Sequence, residues 1–521
     1  MPDNSTNSKR IAKNTIFLYF RMMLLMLIGL YTSRVNLQAL GVTDFGIYNV
    51  VGGVVIMFSV VNRSLSSAIS RFITFELGKG NVDKLKSVFS TSVNIQLVLS
   101  AIILLLSETI GLWFLKEKMV IPSERMNAAL WVYQMSVLTF IFNIISIPYN
   151  AAIIGHEKMS AFAYLGIVEA VGKLLVAWGT TYATYDKLIV FSILHAAIAI
   201  LLRMIYQIYC RRNFVECKYK LTFDKTTLRQ MTGYAGWSFI GTTSALMRDT
   251  GGNIIINLFC GPVVNAARSV SMQINRAVQE FSTNFMTALN PQITKSYARG
   301  DKEYMMKLIY KSSRMSFYLL LLLSVPIIIN TPYVLEIWLV NPPANSVLFV
   351  QLSLIFTMTE AISNPLITAN NATGHIRNYQ LVVGGIQLLN LPISYALLRL
   401  GAMPESVLIT AIVVGQCCFV ARLYMLRSQI GLRSLDFIKK VYLNVLFVSI
   451  ISFVLPWFVN ELFDDSFMKF VLISLFTLCY TATIIYYIGC NQEERNWIIL
   501  FAFKGKKTIS NHNDFYNGKR D

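Results

Sequence analysis

The chain has 521 residues, 55% of them hydrophobic and only 14% charged, with 46 Lys and Arg against 27 Asp and Glu and a net charge of +19. Soluble domains carry roughly a quarter charged residues, so a mean hydropathy of +0.54 excludes an ordinary soluble assembly. Seven scattered Cys and four His offer neither a disulfide framework nor a metal centre.

About 20 apolar residues cross a hydrocarbon core roughly 30 Å thick. In chain order, stretches of this kind run over 14–37, 46–70, 87–114, 127–152, 160–182, 188–210 and 230–258. They continue over 264–290, 308–330, 347–372, 379–398, 406–428, 441–459 and 470–489, which predicts fourteen transmembrane helices. Trp113, Trp131, Trp338 and Trp457 near their ends fit the aromatic belts of a bilayer interface. The first stretch follows Lys9, Arg10 and Lys13. Its length, its Arg21 and Arg34, and the lack of a small-residue cleavage site read as a retained span, not a secretory leader.

Lys and Arg divide 32 to 6 between the two sets of connecting segments, with eight more inside spans. The basic side lies in the cytoplasm, so both termini are expected there. The strong positive charge is then a topology signal, and it calls for no nucleic acid.

At a shift of 220, Gly41 meets Gly261, Ala68 meets Ala288, Ile73-Thr74 meets Ile293-Thr294, and Gly80 meets Gly300. At 219, Gly155-His156 meets Gly374-His375. A shift spanning six helices predicts two parallel repeats about an axis along the membrane normal, with a substrate site between them. The expected fold is an all-α membrane protein. It divides into an N-terminal lobe (1–212), a cytoplasmic linker (213–229), a C-terminal lobe (230–430), two extra helices (431–490) and a basic cytoplasmic tail (491–521).

Each ionisable group at mid-span costs ~2.5–3.5 kcal/mol on insertion scales, and such groups usually face a bundle interior or a water-filled cavity. The basic ones are Arg21, Arg34, Arg63, Lys173, Arg203, Arg248, Arg268 and Arg276. Six of them fall in helices 1, 2, 7 and 8, together with Asp249 and Glu280. If these helices line the interface, they enclose a strongly positive cleft. The planar guanidinium fork suits phosphate oxygens, so the expected ligand carries phosphate or pyrophosphate.

Arg21, Arg63 and Arg248 have no evident local partner and lead the candidates. Arg34 and Arg268 lie near span ends and fit snorkelling equally well, which is also the reading of Arg203. Arg276 and Glu280 stand one turn apart and could neutralise each other. Asp249 is either the counter-ion of an arginine in helix 8 or a group that couples an ion. Lys173 and Glu169 read as a structural pair. Gly233, Gly236, Gly241, Gly251 and Gly252, with Thr242, Thr243 and Ser244, suit a helix 7 that bends or packs closely. The run from Gly166 to Lys173 imitates a phosphate loop, but its spacing is wrong and Leu174 stands where Ser or Thr should hold magnesium. No catalytic constellation is evident, and no enzyme is expected.

The stretch Thr32-Ser33-Arg34-Val35, then Leu40-Gly41-Val42-Thr43-Asp44-Phe45-Gly46-Ile47-Tyr48, Ser66-Ser67-Ala68, Arg71-Phe72 and Glu76-Leu77-Gly78 resembles the polysaccharide transporter family, the Wzx-type O-antigen flippases. That family belongs with the MATE exporters and the lipid II flippases in one superfamily. The resemblance implies transport of an undecaprenyl-pyrophosphate-linked oligosaccharide, an O-antigen, capsule or exopolysaccharide repeat unit. It would cross from the cytoplasmic to the periplasmic leaflet of the bacterial inner membrane by alternating access. Arg21, Arg63, Arg248 and Arg276, with Arg34 and Arg268, are the cavity candidates, and Asp249 and Glu280 are candidates for Na+ or H+ coupling. No cofactor is implied. The expected partners are the lipid-linked oligosaccharide, membrane lipids and glycan polymerase or assembly proteins, for a monomeric transporter. The alternative is a MATE-like, cation-coupled exporter of small organic cations. That activity calls for unpaired acids in place of excess arginine. A membrane glycan polymerase would need a larger periplasmic loop than this chain offers.

Overall fold

Long apolar runs broken by Gly, Pro and short polar residues become helices in the computed structural model. It describes residues 4–495 apart from 57–58, 118, 120, 222–223, 340, 344, 464–465 and 493. In order these are α1 (Asn4–Ile56), α2 (Ser59–Lys79), α3 (Val82–Leu106), α4 (Leu112–Glu117), α5 (Met126–Gly155) and α6 (Met159–Thr181). Then come α7 (Lys187–Asn213), α8 (Lys225–Leu246), α9 (Gly252–Ala298), α10 (Lys302–Ile329), α11 (Thr331–Leu339) and α12 (Ser346–Thr373). The last are α13 (Arg377–Leu388), α14 (Asn390–Arg399), α15 (Ser406–Ile430), α16 (Ser434–Phe437), α17 (Leu443–Glu461) and α18 (Phe467–Ile484). Among the described residues there is no strand. Most of the expected basic tail lies outside the described residues.

Among the described residues, eleven stretches are long and apolar enough to cross a membrane. The expected spans 46–70, 230–258 and 264–290 are helical across their described residues but do not meet that measure. These three carry Arg63, Arg248, Asp249, Arg268, Arg276 and Glu280, so the charge that lowers their hydropathy is also the charge that marks them.

The internal similarity reaches the backbone. Gly41 (φ 75, ψ 171) interrupts α1 and Gly261 (φ 78, ψ −178) interrupts α9 in the same way. This region of φ/ψ is essentially closed to residues with a Cβ. Gly80 and Gly300 share φ values of 74° and 78°. Each precedes a capping residue: Asn81 accepts from the Lys84 amide at the start of α3, and Asp301 from the Tyr304 amide at the start of α10.

The helices bury three large apolar cores. One joins α9, α10, α12, α15 and α17 around Leu320, Leu354 and Leu426. A second joins α2, α3, α5 and α8 around Ile69, Phe89 and Tyr149. The third packs α1, α5 and α7 around Val51, Val132 and Phe191.

At one end of the bundle, helices from the two halves of the chain are fastened together. The Arg71 guanidinium donates to the Ala372 carbonyl (3.0 Å) and Arg299 to the Gly78 carbonyl (3.3 Å). The Glu157 carboxylate accepts from Lys295 Nζ (2.8 Å) and Gln292 Nε2 (2.5 Å). Part-way along, Ser64 and Thr242 share a hydrogen bond (2.8 Å), and Tyr19 donates to the Phe281 carbonyl (3.1 Å). We call this the closed end.

Two expectations about stability follow. Nothing lies within 4 Å of a Cβ built on Gly41 or Gly261, so Gly41→Ala or Gly261→Ala acts through backbone strain alone and costs about 1–3 kcal/mol, measured by thermal unfolding of the purified protein. Asp224, in the connection before α8, accepts from the Thr227 hydroxyl (2.6 Å) and from Lys84 Nζ (2.9 Å), and it caps the Thr226 and Thr227 amides. The Thr227 hydrogen bond, then the Lys84 ammonium, hold its carboxyl well below the usual carboxylate range. A depressed folded value contributes stability above the ordinary pKa of about 4, and the contribution is lost as pH falls toward the folded value. Asp224→Ala is therefore expected to lower stability by about 1 kcal/mol at pH 7. The difference from wild type should narrow in unfolding scans below about pH 4.

Candidate functional site

Arginines far apart in the sequence come together in space. A cavity of about 590 Å³ is lined by Arg63 of α2, by Arg248 and Asp249 between α8 and α9, by Arg268 and Arg276 of α9, and by Glu360 of α12. Four arginines face two carboxylates, a net positive wall. Most of the remaining lining comes from α9, α12 and α15, so the cavity belongs largely to the second half of the chain, and Arg63 reaches it from the first. The sequence expects helices 1, 2, 7 and 8 to line the cleft together, but among the described residues helix 1 supplies nothing to this lining.

Arg248 and Asp249 sit in a single wide turn, Met247–Gly251, that interrupts the glycine-rich segment expected to bend. Such π turns often occur at functional sites. Consecutive side chains on a regular α-helix do not face each other, yet here Arg248 Nε donates to Asp249 Oδ1 (2.9 Å). This corrects two expectations, that Arg248 lacks a local partner and that Asp249 pairs with an arginine of α9. Arg248 keeps its terminal nitrogens free of hydrogen bonds among the described residues. Its guanidinium lies 4.9 Å from the centre of the Phe356 ring. Asp249 is half exposed.

Arg268 does not snorkel. It is 6% exposed, donates from Nε to the Asn253 side-chain carbonyl and from Nη2 to the Asp249 main-chain carbonyl (3.5 Å), and leaves Nη1 without a partner. Gly252 leaves the space it occupies, because a Cβ there would touch the guanidinium. Arg63 and Arg276 are exposed and form no ion pair among the described residues. The Arg276–Glu280 neutralisation anticipated from their spacing is not formed.

Arg21, Arg34 and Glu280 lie outside this lining. Arg21 instead packs its guanidinium 4.5 Å from the Phe162 ring on α6, in space left open by Gly166. Glu169 and Glu280 act on it electrostatically, and its Nε is buried without a hydrogen-bond partner. Arg34 is exposed on α1. Lys173 and Glu169 form the expected i,i+4 pair (2.6 Å). Arg203 lies over the Tyr149 ring (4.2 Å).

Two residues at the site escaped sequence reasoning. Arg422, counted there with a basic cytoplasmic segment, is 2% exposed inside α15. Its Nε donates to the Tyr379 hydroxyl (3.1 Å), and its Nη1 lies 3.6 Å from Glu360 Oε1. Glu360 thus stands between a buried cation behind the wall and Arg248 in front of it, and both Glu360 and Arg422 act electrostatically on Arg248. Arg422 engages Glu360 from the rear, so the cavity arginines are less neutralised than a bare count suggests. The signal was available: Glu360 is a single carboxylate in an otherwise uncharged 28-residue helix.

Removing one member of a fully buried pair strands the other at a cost of about 3–5 kcal/mol, less where one member is part-exposed as Glu360 is, whereas replacing both by apolar residues is often neutral. Glu360→Leu alone is therefore expected to lower the unfolding temperature of the purified protein sharply, and Glu360→Leu with Arg422→Met to recover most of it. Equal losses in both variants would contradict the pairing.

Residues 11–297 match the polysaccharide biosynthesis protein family. No curated protein matches the chain. Among solved structures, a point mutant of a MATE protein aligns with a TM-score of 0.70 at 12% identity, covering 82% of this chain and 97% of that one. An outward-facing multidrug resistance MATE family transporter of the MOP superfamily aligns at 0.69, with 12% identity over 82% of this chain and 96% of that one. A Pyrococcus furiosus MOP superfamily transporter, described as having a binding pocket of reversed polarity, aligns at 0.67, with 12% identity over 82% of this chain and 96% of that one. At this identity the likeness is one of fold. With more than half its length matched, this multi-pass membrane chain belongs to the polysaccharide biosynthesis protein family and has the MATE fold.

Proposed function

We propose that the protein is a flippase for an undecaprenyl-pyrophosphate-linked oligosaccharide. It moves the repeat unit of an O-antigen, capsule or exopolysaccharide across the bacterial inner membrane by alternating access. The observation that carries this reading is the gathering of Arg63, Arg248, Arg268 and Arg276 around one cavity with only Asp249 and Glu360 as acids. Guanidinium forks bind phosphate oxygens two at a time, and a net positive wall suits a pyrophosphate and opposes an organic cation. The family description, polysaccharide biosynthesis, agrees with such a cargo.

In this reading both termini are cytoplasmic, so the closed end faces the cytoplasm and the cavity opens toward the periplasm. The lipid tail stays in the bilayer while the charged head crosses through water. A membrane potential, negative inside, favours outward movement of each negative charge by ~2.3 kcal/mol per 100 mV. Arg248 and Arg63 bind the pyrophosphate directly, Arg268 and Arg276 extend the positive wall, and Asp249 is the group through which Na+ or H+ couples, because it already competes for Arg248.

The test is flipping of a fluorescent lipid-linked sugar by the purified, reconstituted protein, with a labelled organic cation in parallel. Loss of one charge-assisted contact costs ~1.5–3 kcal/mol, so Arg248→Ala and Arg63→Ala should each slow flipping about tenfold or more while the protein stays in the membrane. Undiminished flipping in both variants, or transport of the cation in its place, would overturn the reading.

A further inference from the structure

A second cavity, of about 300 Å³, lies toward the closed end at the seam between the two halves of the chain. Its lining differs in kind from that of the first. Around it stand hydroxyls and amides, among them Ser70, Thr74, Asn290, Thr294, Thr368 and Asn371, with Arg71 as its single charged residue.

The two cavities share three helices. On α2, Arg63 lines the first, and Ser67, Ser70 and Arg71 line the second. On α12, Asn364 lines the first, and Thr368 and Asn371 the second. Positions four, seven and eight residues apart share a helix face. At 1.5 Å per residue, the second lining on α2 therefore begins about 6 Å below the first and extends, through Thr74, about 16 Å beyond it. On α9 the same order holds, from Ser282 in the first to Asn290 and Thr294 in the second.

Arg71 helps to fasten the seam through one nitrogen, yet it is not a structural counter-ion. Its guanidinium is sandwiched near Phe72 (4.6 Å) and Phe75 (4.3 Å). One nitrogen donates to the Ala372 carbonyl (3.0 Å), and Nε is buried with no partner. No carboxylate forms an ion pair with it among the described residues. Thr368 donates to the Asn290 side-chain carbonyl (2.8 Å), which leaves the Asn290 amide hydrogens for another group.

A pyrophosphate only accepts hydrogen bonds. Ser, Thr and Asn side chains both donate and accept, so half of this lining would be wasted on a phosphate. Sugar hydroxyls also do both. We propose that this cavity is a glycan subsite, binding the sugar residues next to the pyrophosphate while the arginine cavity holds the pyrophosphate itself, with Arg71 reading an acidic or acetamido substituent. The inference rests on the flippase reading and deepens it: lipid recognition is divided between a cationic chamber and a neutral, hydroxyl-matching one.

The experiment compares two probes on the full-length protein in proteoliposomes: bare undecaprenyl pyrophosphate, and the oligosaccharide-bearing undecaprenyl pyrophosphate pool extracted from the cells that make the protein. Wild type should bind the glycosylated lipid about tenfold more tightly, the equivalent of one or two net hydrogen bonds. Arg71→Gln and the near-isosteric Thr368→Val should each erase most of that preference while leaving affinity for the bare lipid within about twofold of wild type. Thr368→Val removes one hydroxyl at constant shape and separates loss of recognition from loss of fold. An unchanged preference in both variants, or an equal loss for both lipids, overturns the glycan subsite and leaves the flippase reading intact. Wild-type protein that binds neither lipid overturns both.

Discussion

A guanidinium set among apolar helices must find water, a carbonyl or carboxylate oxygen, or an aromatic face, because the hydrocarbon offers it none of these. That constraint organises the structure described here. Arg268 is held by Asn253 and a main-chain carbonyl, Arg248 by Asp249 and the face of Phe356, and Arg422 by Tyr379 and Glu360. Arg63 and Arg276 have no such anchor and open into the cavity. Arg422 is held behind the wall, whereas Arg248 and Arg268 are anchored at one side and still face the cavity beside Arg63 and Arg276.

The fold was legible in the sequence because its signals are long and redundant. Apolar runs of membrane length, the partition of basic residues and the shift of 220 are each repeated along the chain. The Gly41 and Gly261 pairing shows how far that goes, since two matched letters stand for two matched backbone breaks. Charge inside a span was equally readable: of the six arginines named together, Arg63, Arg248, Arg268 and Arg276 line one cavity.

What could not be read was direction around the helix and departures from regular winding. Arg21 has the same depth argument as Arg63, yet the absence of a side chain at Gly166 draws it onto α6. The Arg248–Asp249 contact exists because one turn is wound wide, which side-chain spacing on a regular helix forbids. Arg422 lies close enough to a basic segment that counting charges assigned it to the surface, while packing against Tyr379 buries it. For Arg21 and Arg422 a contact between distant segments overrode the local rule, and for Arg248 a local change of winding did.

The fastening at the closed end carries a kinetic implication. Glu157 is 4% exposed, holds a left-handed backbone (φ 60°), and divides its carboxylate between Lys295 and Gln292. Its main-chain carbonyl also accepts from Asn14 of α1 (3.2 Å). Prising the α5–α6 turn from α9 would rehydrate an anion and a cation in the same step, while Asn14 keeps that turn tied to α1. Breaking such a buried pair is costly because it leaves both charges uncompensated until water reaches them. Leakage of small solutes through a half-parted seam would be suppressed by the chemistry of a single hairpin tip.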